Sequence, residues 1–155
     1  AALIVRGSTN KEICLNAGGC HSPIWIDTLP NEFNRNEIVD WNLHYYVTYF
    51  EFSQGSALPR AYTELSSYDS ELNKRGRKIA ANIKNVSGKP TYYCLIDKYT
   101  PNADLKNDKC PSCGSNWYRP VKADAKGLDT FEFCCHDCLL LKDRFEAEYL
   151  PPDGE

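Results

Sequence analysis

The sequence predicts an α+β fold, in which a small sheet packs with two main helices and a C-terminal segment with four paired cysteines follows. Two segments repeat apolar residues at the three- and four-residue steps of a helix, and short runs rich in β-branched and aromatic residues flank them. The chain has 155 residues, of which 42% are hydrophobic and 25% are charged. These values are ordinary for a globular chain of one domain, or of one domain and a small module.

Short strands are predicted near the N-terminus, where apolar runs occupy residues 2–6 and 12–15. A third run at residues 23–27 alternates apolar and polar residues less cleanly and is closed by Pro30. Residues 91–96 are rich in β-branched and aromatic side chains, which predicts a partly buried strand. These runs would supply the sheet.

The first predicted helix covers residues 37–53, the longest apolar segment of the chain. Its apolar positions recur at helical steps and are Ile38, Trp41, Tyr45, Tyr49 and Phe52. Asn36 is in place to cap the first turn. The run at 45–50 is also rich in strand formers, so a strand remains an alternative there.

The second predicted helix runs from about residue 69 to residue 86, and residues 54–59 break the pattern before it. Its apolar stripe consists of Leu72, Ile79, Ile83 and Val86. Gly76 lies inside this helix and should cost roughly 1 kcal/mol relative to alanine. Gly88 is placed to end the helix, because glycine readily adopts the left-handed conformation that follows a last turn.

Four cysteines in two short clusters are the strongest signal in the chain. Cys110 and Cys113 form one C-x₂-C pair, Cys135 and Cys138 form another, and 21 residues separate the pairs. Zn²⁺ takes four thiolates tetrahedrally, and C-x₂-C lets one tight turn present two sulfurs to one metal. Gly114 lets the chain turn back after the first pair at low steric cost. The spacing therefore predicts a zinc site.

We interpret residues 105–145 as a zinc ribbon, preceded by an α/β domain at 1–104 and followed by a flexible tail at 146–155. The ribbon is predicted to contain strands at 116–119 and 130–133 that join the two clusters. With four cysteines as ligands, no position remains for an activated water, so the zinc should be structural. Iron also suits four cysteines, and two disulfides or a redox pair are further alternatives.

The remaining cysteines leave other sites open. Cys134 adjoins Cys135 and could replace it as a ligand in a C-x₃-C arrangement; otherwise it is a free or buried thiol. Cys14, Cys20 and His21 could begin a second metal site, completed through the fold by Cys94 or His44. Unlinked thiols or a labile disulfide are the alternative. The same cysteines and histidines could also form a nucleophilic dyad, although nothing in the sequence places them together. His136 is expected to face solvent.

Charge is distributed unevenly along the chain, which has a formal net charge of −3. Residues 70–93 carry Glu71 as their only acidic residue and six basic residues, namely Lys74, Arg75, Arg77, Lys78, Lys84 and Lys89. This basic helix is the candidate nucleic-acid-binding element, and Tyr92 or Trp117 could stack on bases. The alternative is a solvated helix face that pairs with the acidic first segment of the same chain.

The chain resembles a bacterial family of uncharacterised zinc-ribbon-containing proteins that are described as nucleic-acid-binding candidates. The resemblance covers about residues 14–141. It is carried by the segments 20–30, 38–41, 73–77, 88–93, 110–114 and 131–138. The resemblance implies an α/β segment joined to a C-terminal zinc ribbon, in proteins that can be longer at the N-terminus. It implies no activity and identifies no catalytic residue.

These observations together predict a non-enzymatic protein-interaction or regulatory module, for example an antitoxin-like neutraliser of a basic partner. The alternative is a nucleic-acid-binding protein that uses the basic helix and has the ribbon as structural support. No small-molecule substrate and no membrane partner are expected, because no catalytic constellation and no transmembrane-length apolar run occur. Metal-spaced cysteines suit a reducing compartment, so we expect the cytoplasm.

Overall fold

The computed structural model describes residues 3–6, 14–15, 30–31, 33–54, 58–96, 102–124 and 127–143. In chain order its elements are β1 (Leu3–Arg6), β2 (Cys14–Leu15), α1 (Arg35–Ser53), α2 (Leu58–Ser66), α3 (Glu71–Ser87), β3 (Thr91–Ile96), β4 (Phe133–Cys135) and β5 (Leu140–Asp143). Short 3₁₀ turns cover Asn102–Asn107 and Gly127–Thr130. The predicted strand at 23–27 and the predicted tail at 146–155 lie outside the described residues.

The strands form one five-stranded sheet with the order β2-β1-β3-β5-β4. The central strand β3 is parallel to both neighbours, with Tyr92 opposite Ile4 of β1 and Cys94 opposite Leu141 of β5. The edge strands β2 and β4 are antiparallel. The α+β prediction is confirmed. Because β4 and β5 come from the predicted ribbon, the sheet is continuous across the boundary predicted at residue 104, and that domain division stays a prediction.

Both faces of the sheet are buried. On one face, Val5 and Tyr93 join the helices in a large core whose Trp41 and Leu72 are fully buried. On the other face, a smaller cluster contains Ile4, Tyr92, Cys94, Cys134 and Leu141, with Leu128 and Phe131 packed against it. All six residues of β3 are consequently buried, as expected for a central strand with parallel neighbours and both faces covered.

Helix α1 confirms the first predicted helix and rejects the strand alternative. Asn34, and not Asn36, is its N-cap, since the Asn34 side chain accepts a hydrogen bond from the Glu37 amide at 3.1 Å. Tyr45, Thr48 and Phe52 lie on the buried side at helical spacing. The strand formers in this stretch therefore adopt a helix because the helical stripe, and not alternation, matches the core.

Helix α2 was not predicted, because residues 54–59 were interpreted as a break between two longer helices. Pro59 stands at its second residue, in the first turn, where a missing backbone N–H costs nothing. Ala61 and Leu65, four residues apart, are both buried at 1% exposure. A proline at the start and apolar residues at helical steps from Leu58 to Leu65 were thus the available signals.

Helix α3 confirms the second predicted helix. Ser70 caps its N-terminus by accepting a hydrogen bond from the Asn73 amide at 3.1 Å, and Gly88 ends it with a φ of +66°, as predicted. Gly76 has a packing role, because a Cβ there would lie 2.2 Å from the ring of Tyr93. Glycine lowers the helix propensity at this position, but its missing side chain allows α3 to pack closely against β3.

Asn73 joins α2, α3 and the sheet through one buried carboxamide, which is 2% exposed. Its Nδ2 donates to the carbonyls of Leu65 at 3.0 Å and Ser67 at 2.7 Å. Its Oδ1 accepts the Tyr93 hydroxyl at 2.7 Å. Because buried polar groups are stable only when satisfied, this network specifies how α2 turns into α3 over β3.

The segment between the two cysteine clusters differs from its prediction. Residues 116–119 form only isolated bridges, Lys109 to Asn116 and Tyr118 to Phe133, and the second strand begins at Phe133 and not at residue 130. Phe133 enters the helix-side core, whereas Phe131 packs on the opposite face. The two rings are separated because Phe131 precedes β4 and follows a 3₁₀ turn, whereas Phe133 is the first residue of β4.

Candidate metal centre

The four predicted metal-ligating cysteines converge on one point. The sulfurs of Cys110, Cys113, Cys135 and Cys138 all lie within 4.8 Å of one another, and those of Cys113 and Cys135 are 3.7 Å apart. A tetrahedron of thiolates about 2.3 Å from a zinc ion places its sulfurs about 3.8 Å apart. None of the six cysteines with described side chains is in a disulfide. The cluster can therefore hold a metal ion.

The first pair of cysteines is held in a tight turn. The Cys110 amide donates to the Ser115 carbonyl at 2.9 Å, and the Gly114 amide donates to the Cys110 carbonyl at 2.8 Å. Gly114 has a φ of +72°, which agrees with the turning role predicted for it. Cys110 is buried while Cys113 is exposed, so the turn presents one sulfur from the core side and one from the solvent side.

The second pair uses the same turn with a different residue. Leu139, directly after Cys138, has a φ of +53° and is the only non-glycine with positive φ in the described part of the chain. This conformation costs a residue with a Cβ roughly 1–2 kcal/mol. The carbonyl of Leu139 accepts the Tyr93 amide at 2.9 Å, so the sheet holds the strained residue in place. The sequence did not predict a left-handed residue here, because glycine and not leucine is the usual mark of such a position.

His136, expected to face solvent, is exposed but also bonded to the sheet. The Tyr92 hydroxyl lies 2.7 Å from its Nδ1, and the two rings meet edge to face. Tyr92 thereby links β3 to the turn between the second pair of ligands. Residue spacing could not reveal this contact, because the partners are 44 residues apart.

Cys134 lies outside the four-sulfur cluster, and Cys135 occupies the ligand position. Side chains alternate along a strand, so Cys135 shares the face of Phe133 and the cluster while Cys134 points to the opposite face. The Cys134 sulfur is buried there, 3.7 Å from Nδ1 of His136. The ligand choice therefore follows from strand register.

The thiols of the cluster differ in acidity. The Ser115 side chain lies 3.0 Å from the Cys113 sulfur, and its hydrogen bonds lower the pKa of Cys113 to about 6. Burial raises the pKa of Cys110 to about 12. Cys113 therefore forms a thiolate more readily than Cys110. Because its pKa is raised, Cys110 would lose its proton only beside a cation.

The structure describes only some of the residues that could form a second metal site or a cysteine–histidine dyad. Cys20 and His21 lie outside the described residues, and the side chain of Cys14 is not described. Cys94 is 2% exposed on the face of the sheet opposite α1, where burial raises the pKa of its thiol to about 12. His44 is half-buried on α1. The sheet therefore separates Cys94 from His44, and these two do not form a nucleophilic dyad.

Three of the six predicted nucleic-acid-binding residues contact the protein's own groups. Lys74 pairs with Glu71 at 3.1 Å, and Lys78 pairs with Glu37 at 3.3 Å. Arg77 stacks 3.6 Å above the Tyr68 ring and donates to the Tyr68 carbonyl. The other three are Arg75, which is half-buried, and Lys84 and Lys89, which are exposed.

The two predicted base-stacking residues are unavailable, since Tyr92 is 5% exposed and Trp117 is 3% exposed. Both lie in apolar clusters on opposite faces of the sheet. The expectation that they stack on bases is wrong for this structure, because both rings are buried in the core.

A cleft of about 300 Å³ lies between the start of α1 and the second half of α3. Its lining includes Phe33, Ile38, Ile79, Glu37, Asn82 and Asn85. None of the lining residues is a cysteine, histidine or serine, so this cleft presents no nucleophile–base pair. Across the described elements, no helix is both long enough and apolar enough to traverse a bilayer.

Comparison with known proteins places the first part of the chain in a family. The profile of a domain of unknown function, DUF2310, matches residues 3–96. Two proteins of Haemophilus influenzae strain Rd, both described as uncharacterized, are similar to half of the chain. One is 42% identical over 81 residues and the other 39% identical over 79 residues.

The matched segments cover 50% of this chain but only 29% and 37% of those two relatives, about a third of their length. No solved structure matches the chain. The expected membership of an uncharacterised bacterial family is confirmed. The family description mentions neither a zinc ribbon nor nucleic acid, and the matched residues end before Cys110.

Proposed function

The chain belongs to the DUF2310 family, and from its structure we propose that it is a non-enzymatic protein-interaction or regulatory module stabilised by one structural zinc ion. The observation that carries this proposal is the set of four cysteine sulfurs within 4.8 Å of one another. Four thiolates complete a tetrahedron around zinc and leave no coordination position for an activated water. The centre therefore supports folding and not hydrolysis.

Zinc would be held by Cys110, Cys113, Cys135 and Cys138. When bound, the ion would supply positive charge. That charge would stabilise the thiolate form of a cysteine such as Cys110, whose ionisation is disfavoured by burial. The chain contributes two tight turns, with Gly114 and Leu139 in the left-handed conformation after each pair. Those turns aim the sulfurs at a common centre, and binding energy at this centre becomes folding energy of residues 105–143.

A role in binding protein is supported by the charge distribution. The chain has a net charge of −3, and Lys74 and Lys78 of its basic helix are already paired with Glu71 and Glu37. An acidic protein surface suits a basic protein partner better than a phosphate backbone. We propose an accessory or antitoxin-like role for it in the cytoplasm, where thiols stay reduced and free to bind metal.

The second candidate function is nucleic-acid binding through the basic helix. The observation in its favour is the set of six basic residues against Glu71 alone in residues 70–93. Arg75, Lys84 and Lys89 have no ion pair within the described part of the chain. A mobility-shift titration at about 50 and 200 mM salt tests it. Absence of a shift at the lower salt concentration, or a shift unchanged by Arg75, Lys84 and Lys89 to glutamate substitutions, would exclude it.

The metal proposal is tested by measuring bound metals in protein purified without added metal. We expect one zinc per chain in the wild type and loss of zinc in Cys135→Ser. Cys134→Ser is the matched control, because Cys134 is adjacent but points to the opposite face. Iron in place of zinc, or equal zinc loss in both variants, would contradict the proposed centre.

The interaction role is tested by crosslinking and co-purification of the zinc-loaded chain from its host. A partner recovered reproducibly across replicate preparations, and absent from a control bait of similar charge, would support it. Failure to recover such a partner, in cells where the protein is expressed, would count against it.

A further inference from the structure

Helix α1 exposes a continuous apolar strip that the proposed function does not explain. Five large apolar residues on its outer side are 40–59% exposed, and they are Val39, Leu43, Tyr46, Val47 and Phe50. We call these five residues the α1 ridge. Their spacing of three and four residues places them on one side of the helix over three turns. Isolated exposed apolar residues are ordinary, whereas a contiguous strip marks an interaction surface.

The α1 ridge has the form of a helix-packing surface. Val39, Leu43 and Val47 follow one i, i+4 row, and Tyr46 and Phe50 follow the next. The aromatic rings of Tyr46 and Phe50 stack with centroids 6.4 Å apart. Two neighbouring i, i+4 rows leave a shallow groove into which a row of another helix can pack. Because the inner side of α1 is already buried in the core, the helix is apolar on both sides, which is typical of a helix covered on both sides.

The edge of the ridge is acidic. Asp40 and Glu51 are both exposed and eleven residues apart, a spacing of about three full turns that puts them on the same flank. Neither has an ion pair with any residue that the structure describes. Arg35 at the first position is the only lysine or arginine of α1, and residues 36–53 contain none. Among the described residues, this flank therefore carries negative charge without an ion-pair partner beside the apolar strip.

This charge pattern argues against a second copy as the occupant. If two α1 ridges packed antiparallel about a two-fold axis, the acidic flank of one helix would lie beside the acidic flank of the other. Asp40 of one copy would then approach Glu51 of the other, and like charges across an interface are unfavourable. A partner with positive charge along one edge removes this repulsion.

We propose that the α1 ridge docks an amphipathic helix of another protein, one with large apolar residues at three- and four-residue spacing and lysine or arginine along one edge. This inference rests on the proposed protein-interaction role and names its surface and its partner's chemistry. Apolar rows provide the contact, and Asp40 and Glu51 select the orientation and the charge of the partner.

The test uses two synthetic helical peptides of about 18 residues, long enough to be partly helical alone. They share the same leucine strip, and one carries lysines along its edge while the other carries glutamates. Each is titrated against the zinc-loaded full chain by fluorescence anisotropy. We expect the lysine-edged peptide to bind at least about tenfold more tightly, a difference of about 1.4 kcal/mol.

Three variants locate the binding. Leu43→Ser with Phe50→Ser should weaken the lysine-edged peptide by at least about tenfold. Asp40→Lys with Glu51→Lys should reverse the preference between the two peptides. Val121→Ser is the matched control, since Val121 is 41% exposed but lies between the cysteine pairs, and it should leave binding unchanged. The zinc content and the thermal unfolding curve of each variant are measured to check that it is folded.

Several results would overturn the inference. Binding that survives loss of the ridge, or a preference that survives charge reversal, would show that another surface is used. A wild-type dimer that the Leu43→Ser, Phe50→Ser variant dissociates would assign the ridge to a second copy. Ridge-dependent binding to anionic lipid vesicles, without peptide binding, would assign it to a membrane surface. A recovered protein partner whose binding ignores the ridge would leave the proposed function standing and this inference rejected.

Discussion

The helical region at residues 35–96 and the cysteine region at residues 105–143 are stabilised in different ways. The helical region has helices of 19, 9 and 17 residues that bury Trp41, Leu65 and Leu72 almost completely. The cysteine region has strands of only 3 and 4 residues and converges on four sulfurs. The first region therefore has an extensive apolar core, whereas the second has little regular structure, and we expect the second to depend on a bound metal ion for its stability.

The two regions nevertheless share one sheet. Strand β5 of the cysteine region lies parallel to β3 of the helical region over four residue pairs, from Tyr93 with Leu140 to Ile96 with Asp143. Asp108, just before the first cysteine pair, pairs with Lys142 of β5. The helical core and the cysteine cluster therefore meet along one strand pair, so disruption of either region should destabilise the other.

Loss of the metal should have the largest effect. Cys135→Ser, or a strong chelator, should lower the free energy of unfolding by several kcal/mol, since structural zinc sites contribute on this scale. Because β5 pairs with β3, we expect the far-ultraviolet helix signal to melt at a lower temperature together with the cysteine region. Cys134→Ser is the control. An unchanged helix transition after zinc loss would show that the two regions are independent.

The buried network of the helical region should have the next largest effect. Asn73→Leu removes the donor to three carbonyls and the acceptor of the Tyr93 hydroxyl, so we expect a loss of about 3 kcal/mol. Tyr93→Phe removes one of these bonds and should cost about 1 kcal/mol. Urea titration measures both. Equal effects of the two substitutions would show that the three backbone contacts contribute nothing.

The buried thiol at the centre of the sheet should make stability depend on pH. Burial raises the pKa of Cys94 to about 12, whereas an unfolded cysteine has a pKa of about 8.5. Above about pH 8.5 the unfolded chain releases this proton while the folded protein keeps it, so the free energy of unfolding falls as the pH rises toward 12.

The measurement compares wild type with Cys94→Ala by urea titration at about pH 8 and pH 10.5. The wild type should lose more stability between the two pH values, because the groups other than Cys94 titrate in both proteins. An identical pH dependence, or a steeper loss in Cys94→Ala, would contradict a neutral buried thiol. Cys94 in this respect contrasts with exposed Cys113, whose pKa is lowered to about 6 by Ser115.

The smallest effect is expected at the second cysteine turn. Leu139→Gly relieves a left-handed leucine, a gain of about 1 kcal/mol. It also loses the packing of a partly buried side chain and increases the freedom of the unfolded chain. We expect a net change within about 1 kcal/mol, measured as the melting temperature of the zinc-loaded protein. The control Gly114→Leu should be clearly destabilising, because Gly114 has a φ of +72°, which costs a residue with a Cβ roughly 1–2 kcal/mol.

Local patterns predicted most elements correctly. The steps from Ile38 to Phe52 predicted α1, and Gly88 marked the end of α3. The four clustered cysteines were identifiable because C-x₂-C spacing expresses the geometry of one tight turn, which is a local property. Helix α2 was missed because residues 54–59 were interpreted as a break, although Leu58, Ala61, Tyr62 and Leu65 recur at helical steps.

The contacts that connect the regions could not be predicted. Tyr92 bonds to His136 across 44 positions, and Tyr93 reaches Asn73 across 20. Such pairs depend on strand order and register, which no local pattern contains. The pairing of Lys78 with Glu37, 41 positions apart, likewise altered the interpretation of the basic helix.

The sequence by itself determined the α+β class, the two long helices and the four cysteines, since each depends on residues near one another in the chain. Only the tertiary structure decided that the cysteine region adds two strands to the sheet, that Cys134 faces away from the cluster and that α1 keeps an apolar ridge in solvent. The physical reason is the same in each case. Periodicity shows which side of an element is apolar, but only packing in three dimensions decides what, if anything, covers it.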